Sequence, residues 1–440
     1  MDGAPLLLKE LGFSETEPLF SDIPSGVRKQ KLNIPRGVSE FDLLRKAEKY
    51  ASLNRNYRLN FLGNGIYDRI IPSSVDSITG RAEFLTSYTP YQAEMSQGML
   101  QSLFEFQSII NDLTAMDVTN SSMYDGTTAL GEAVRMAYRV NEKKEILVPE
   151  TIYSFKRRVM ESYLTGLNVI LKPYRLTRDT GEIDLDDLGK KICQETSAIV
   201  VDQPNSLGNI DRNASAVGEI KKDALLITYT DPILLGIIGP PGEIGSDINV
   251  MEGQQLGLHP NFGGPILGIL SFRSEYVRKS PGRLIGESND SKGKRAYVMT
   301  LQTREQHIRR SKAMSNICTN QALFAVSATA YLSIIGSRGL RSIALKTLEN
   351  SQKMIKELVK NRKFTRVLSG TPFSDVLLNY SGKEDVQEKL AENGIAGGVT
   401  LKRLVDTPPE HLSRSLFFST TEKTDVAGIE ELGKILGGFT

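Results

Sequence analysis

From about residue 117 onward, short apolar runs alternate with amphipathic stretches. The runs at 145–149, 168–173, 197–202, 224–230, 247–251 and 266–272 are apolar along their length, as strands buried on both faces are. Most are separated by stretches of helical character, at 128–140, 154–166, 184–194 and 213–222. That alternation predicts an α/β fold with a mainly parallel sheet covered on both faces. No strand is read between 272 and 364.

The ends of the chain differ. Residues 1–60 hold helix-start signals, Ser14-Glu15-Thr16-Glu17 and Ser39-Glu40, but no strand run. They read as an N-terminal extension that wraps over a neighbour. Residues 61–315 read as the large α/β domain. Residues 316–440 are expected to hold two linking helices, 316–336 and 340–361, and a small α+β domain. Its expected strands are 364–368, 373–380, 398–401 and 416–419, with helices at 384–393 and 425–436. The charged stretch 304–310 (REQHIRR) reads as helix running into 315–321. It is either a solvated face with an i,i+4 pair, Glu305–Arg309, or a contact with a partner subunit.

Composition narrows the function classes. A net charge of +2 over 440 residues gives no reason to expect a nucleic acid. The 2 cysteines, Cys193 and Cys318, lie far apart and suggest a reducing, cytoplasmic setting. The 3 histidines are isolated, so no histidine metal site is expected. No stretch of about 18 uninterrupted apolar residues predicts a membrane span, and the run at 4–8 is too short for a signal-peptide core.

Chemistry concentrates between 81 and 133. Two polar knots, 87–92 (SYTPYQ) and 122–128 (SMYDGTT), bracket one helical segment. Asp125-Gly126-Thr127-Thr128 opens the first helix of the α/β pattern. It is either a phosphate cradle at a helix N-terminus or an ordinary N-cap. Asp231 ends the run 224–230, and Asp202 ends the run before it. Each is either a ligand group at the crevice of an open α/β sheet or a turn former. Together these features suggest the large domain of a pyridoxal-phosphate enzyme. Such an enzyme needs a lysine some tens of residues after the aspartate. None occurs from 223 to 278; the chain there reads Glu252-Gly253-Gln254-Gln255. Lys279 sits in a charged segment and reads as a surface residue. A free-standing pyridoxal-phosphate lyase or aminotransferase would need it or Lys292. Gly63-Asn64-Gly65 lacks the third glycine of a dinucleotide fingerprint.

Several longer strings carry a family resemblance: 63–68 (GNGIYD), 84–92 (FLTSYTPYQ), Gln97-Gly98, 104–107 (FEFQ), 122–126 (SMYDG), 304–310 and 315–321 (SNICTNQ). The chain resembles the N-terminal half of the P-protein of the glycine cleavage system, glycine dehydrogenase (decarboxylating). Its length resembles that of the separate subunit 1 of two-chain P-proteins. The resemblance implies an aminotransferase-like fold (pyridoxal-phosphate-dependent transferase type I) and a heterotetramer with subunit 2. It implies that pyridoxal phosphate sits on a lysine of subunit 2, and that Gln254-Gln255 stand where subunit 2 has a His-Lys pair. Gly126, Thr127, Thr128, Asp231, Gln254 and Gln255 are then a vestigial cofactor pocket. The implied reaction decarboxylates glycine and passes the aminomethyl group to the lipoate carried by the H-protein. Tyr88, Thr89, Tyr91 and Gln92 are the residues this chain is expected to offer to that site, with interface packing as their alternative role. A purely structural partner subunit is the remaining alternative.

Overall fold

The computed structural model describes residues 4–28 and 33–438. The chain divides into two compact units, Met1–Asn56 and Tyr57–Thr440. In the first, Ser39 caps the helix Glu40–Ala51 by accepting the N–H of Asp42 at 3.2 Å. A second helix spans Ala4–Glu10. Phe41, Leu43 and Leu44 are exposed.

The second unit is built on a sheet that is seven-stranded among the described residues. Its elements run α1 (Gln97–Thr114), β1 (Val118–Thr119), α2 (Gly126–Asn141), β2 (Glu145–Pro149), α3 (Ser154–Leu164), β3 (Ile170–Tyr174), α4 (Leu185–Lys191), β4 (Thr196–Gln203), α5 (Ala214–Ile220), β5 (Leu225–Thr230), β6 (Ile248–Glu252) and β7 (Gly268–Phe272). The order across the sheet is β1-β7-β6-β5-β4-β2-β3. The pairings from β6 through β3 are parallel; β7 and β1 join antiparallel at one edge.

Period-two alternation decides which face each side chain enters. Ile146, Val148, Ala198, Val200, Leu225 and Ile227 join the core under α2 and α3. Leu147, Ile199, Val201 and Leu226 point to the opposite core. Burial on both faces is why these strands read as continuous apolar runs. Helix α2 meets the sheet with Ala129, Leu130, Ala133, Val134 and Ala137, a stripe at helical spacing.

Beyond the sheet, an antiparallel hairpin, β8 (Leu284–Asn289) and β9 (Arg295–Thr300), occupies a stretch where no strand was expected. The expected helix over 304–321 is also corrected. Only Gln306–Arg309 is α-helical there, between two short 3₁₀ turns. The next helix, α6, starts at Ala322 rather than 316. The polar groups before it are tied elsewhere. Asn320 donates to Ser121 Oγ at 2.9 Å, and the Gln321 N–H donates to Ser122 Oγ at 3.0 Å.

Helix α6 (Ala322–Leu358) joins the two expected linking helices across a kink at Gly336, where φ is 60° and ψ is −177°. By length and composition alone it is apolar and long enough to cross a membrane. Its Ala325, Val326, Ala328, Tyr331 and Leu332 are instead buried in the core beside α1. A four-stranded antiparallel sheet follows, ordered β10-β11-β13-β12, from Phe364–Arg366, Asp375–Tyr380, Val399–Thr400 (β12) and Ser415–Ser419 (β13). Helix α7 (Val426–Gly437) packs with it through Ile429, Leu432 and Leu436.

Candidate functional site

The C-terminal ends of β4, β5 and β6 and the N-termini of α2 and α3 converge on one cavity of about 220 Å³. This is where open α/β sheets place ligands. Of the expected pocket residues, Thr127, Asp231 and Gln255 line it, as do Asp125, Lys156, Asp202, Tyr229 and Glu252; Gly126, Thr128 and Gln254 do not.

The start of α2 is a closed capping box. The Thr128 N–H donates to Asp125 Oδ1 at 2.8 Å, and the Asp125 N–H donates to Thr128 Oγ1 at 3.2 Å. The Gly126 N–H, which a phosphate would use, donates instead to Glu252 Oε2 at 2.8 Å. Glycine is required there. A Cβ on Gly126 would lie 2.5 Å from Tyr229 Oη and 2.9 Å from the Glu252 backbone. Glu252 Oε1 also accepts the Gln254 N–H at 2.9 Å. Burial pushes the Glu252 carboxyl up to about 8, with these N–H donors pulling it back.

Asp231 is partnered in the same way. Its Oδ1 accepts the N–H groups of Ile233 and Leu234 at 2.8 and 3.2 Å, and its Oδ2 accepts Gln255 Nε2 at 2.8 Å. This aspartate therefore forms the turn and also lines the crevice. Gln254 is buried and does not line the cavity. Its amide accepts the N–H of Tyr67 and donates to the carbonyl of Tyr67, both at 3.0 Å.

Lys156 was not singled out from sequence. It lies in a run, Lys156-Arg157-Arg158, that reads as a solvated helix face. Its Nζ sits 3.2 Å from Asp202 Oδ2 and 3.5 Å above the centre of the Tyr229 ring. Burial lowers its pKa, and Asp202 partly restores it. The signal available was its place on the first turn of the helix after β2, at the crevice edge.

The 87–92 knot lies apart from this cavity. Pro90 is buried, while Tyr88 and Tyr91 are 73% and 49% exposed. Tyr88 Oη is 2.7 Å from Thr319 Oγ1, and Tyr91 Oη accepts from Arg283 at 2.9 Å. The carbonyls of Thr89 and Gln92 accept the N–H groups of Tyr91 and Met95 at 2.9 and 3.0 Å. Glu305 lies 3.6 Å from Arg283 and 3.7 Å from His307, and pairs with these rather than with Arg309. A helix as short as Gln306–Arg309 leaves Glu305 outside it, at the cap position. The loop, the 304–310 stretch and the 315–321 stretch thus form one surface. The side chain of Arg304 lies outside the described residues.

The family model for the glycine cleavage system P-protein matches residues 4–436. The chain belongs to the glycine cleavage system P-protein family. It is 55% identical over 436 residues to the probable glycine dehydrogenase (decarboxylating) subunit 1 of Thermoplasma acidophilum, covering 99% of each chain. To the protein of the same name from Carboxydothermus hydrogenoformans it is 41% identical, covering 98% of this chain and 97% of that one. The designation "subunit 1" implies a partner subunit. A crystal structure of glycine decarboxylase (P-protein), in inhibitor-bound form, superposes with a TM-score of 0.89 at 34% identity, over 98% of this chain and 97% of that one. A glutamate decarboxylase from Lactobacillus brevis shares the fold alone, at TM-score 0.68 and 14% identity. The fold is that of pyridoxal-phosphate-dependent enzymes of type I.

The residues present do not fit that cofactor. The N–H a phosphate needs is held by Glu252, and Asp231 is held by Gln255. Lys156, the lysine that lines the cavity, is paired with Asp202.

Proposed function

We propose that this chain is subunit 1 of a two-chain glycine dehydrogenase (decarboxylating). With subunit 2 it decarboxylates glycine and passes the aminomethyl group to the lipoyl arm of the H-protein. Pyridoxal phosphate is carried by subunit 2, where it accepts the electrons released as carbon dioxide leaves. The observation that carries this reading is the Glu252 side chain on the Gly126 N–H, a protein acceptor in the place a phosphate would take.

This chain contributes a surface in the same reading. Tyr88, Thr89, Tyr91 and Gln92 form a loop with exposed Leu85 and Met95 beside it. Buried Pro90 stiffens the loop, and the phenols are offered to glycine's carboxylate or to the lipoyl arm across the subunit interface. The exposed apolar residues of 1–60 are offered to subunit 2. Residues 61–315 form the domain that carries both sites, and 316–440 the helices and small domain that brace it.

The test is reconstitution. The chain alone shows no borohydride-trappable cofactor adduct and no exchange of glycine's carboxyl with bicarbonate. Mixing with subunit 2 brings the exchange on. A stable trapped adduct on this chain alone overturns the reading.

A further inference from the structure

The cavity at the ends of β4, β5 and β6 has a chemistry of its own. Its lining includes the carboxyl groups of Asp125, Asp202, Asp231, Glu252 and Asp375. Against them stands one ammonium, that of Lys156. Nearly every carboxylate oxygen is met by an N–H or O–H of the protein. Asp375, for example, accepts from Tyr67 Oη at 2.7 Å and Ser419 Oγ at 2.5 Å. Asp202 is the exception. It is 2% exposed, its Oδ2 faces Lys156, and its Oδ1 has no hydrogen-bond partner. A buried carboxylate oxygen left without a donor is costly unless a ligand serves it.

The walls suit the same kind of guest. Tyr153, Phe155 and Tyr229 line the cavity, and Lys156 Nζ already sits on the Tyr229 ring. An aromatic face beside a carboxylate is a setting for an ammonium group. Among the described residues no group of three or more His, Cys, Asp or Glu side chains is placed to hold a metal ion, so the carboxylates are too dispersed for that role. A volume of about 220 Å³, roughly fifteen times what one water needs, leaves ample room for a small organic molecule.

We propose that this cavity binds a small primary amine in its ammonium form, with Asp202 Oδ1 as its anchor and the aromatic walls as its cage. Lys156 is a resident competitor for the same carboxylate. The proposal rests on the reading that the cavity is not a pyridoxal-phosphate site.

Titration calorimetry on the full-length chain tests it, with methylammonium, ethylammonium and 1,4-diaminobutane as probes at constant ionic strength. At least one probe should bind saturably. Asp202→Asn should weaken that binding about tenfold or more, the worth of one charge-assisted hydrogen bond. Lys156→Met should tighten it by removing the competing ammonium. Should Asp202→Asn fail to fold, Tyr229→Leu is expected to weaken binding by removing the cage. Saturable heat from none of the three amines overturns the proposal, as does an affinity unmoved by all the substitutions. So does a site that takes glycine in preference and loses it on Lys156→Met, because that site recognises a zwitterion. Pyridoxal phosphate titrated in parallel separates the two readings: its binding refutes the function proposed above, whereas failure of the amines alone refutes only this inference.

Discussion

Gln255 donates its side-chain N–H to the Asp231 carboxylate at 2.8 Å. The other end of the same amide accepts from Arg69 Nε at 2.7 Å, and Arg69 Nη1 reaches Glu422 at 2.6 Å. A buried relay therefore runs from the end of β5 to the residues after β13. Gln255→Leu would strand a carboxylate oxygen and a guanidinium N–H at once. Urea unfolding should show a loss of about 3 kcal/mol.

The far end of that relay makes a separate prediction. The side chains of Arg69 and Glu422 are 1% and 6% exposed. Removing one partner of a buried pair leaves an uncompensated charge, at about 3–5 kcal/mol. Glu422→Gln and Arg69→Met should each approach that loss, and the double variant should lose clearly less than their sum.

Glu132, on α2, makes stability depend on pH. Burial pushes its carboxyl from 4.5 up to about 7, with Arg139 and Arg135 pulling it back. The folded state holds this proton more tightly than the unfolded state does. Its contribution is complete below about pH 4.5 and is lost as pH rises through about 7. Glu132→Gln should abolish that part of the slope, gaining up to about 3 kcal/mol relative to wild type between pH 4.5 and 8. Parallel denaturant midpoints across that range give the difference, and its sign should not reverse.

Gly336 separates backbone strain from crowding. No atom lies within 4 Å of where its Cβ would stand, yet its φ of 60° and ψ of −177° fall in a region open essentially to glycine. Gly336→Ala should cost about 1–3 kcal/mol although there is room for the methyl group. An unchanged unfolding midpoint would show that α6 straightens freely.

Tyr88→Phe and Tyr91→Phe address the loop. In the enzyme reconstituted with subunit 2, the exchange rate is expected to fall about tenfold, one hydrogen bond's worth of barrier. The unfolding midpoint of the isolated chain should hardly move for Tyr88→Phe. Unchanged kinetics for both variants would assign the loop to scaffolding.

The sheet was legible because burial on both faces writes an uninterrupted apolar run. The expected 145–149 coincides with β2, and 224–230 differs from β5 by a single residue. The hairpin was not legible. β9 keeps Tyr297 and Met299 buried, but β8 ends in exposed Glu287, Ser288 and Asn289, which blur the alternation. The helix expected over 304–321 failed because Ser121 and Ser122 bind its C-terminal part, a partnership almost 200 residues away in sequence. In the cavity, the strand-end aspartates and the helix start announced themselves by type and place. Lys156 and Glu252 did not. A basic run looks like surface, and a glutamate at a strand end does not say that it will turn back onto a helix N-terminus.

The Glu252–Gly126 contact has a consequence for how this chain is made. A bound ligand stabilises a fold only to the extent that its concentration exceeds its dissociation constant. The Glu252 carboxyl, tethered by its own side chain to β6, is always present at the same effective concentration. The newly synthesised chain therefore completes its helix start without waiting for vitamin supply, and its melting temperature should be the same in cells rich or poor in pyridoxal. On the function proposed above, dependence on that supply would fall to the subunit proposed to hold the cofactor.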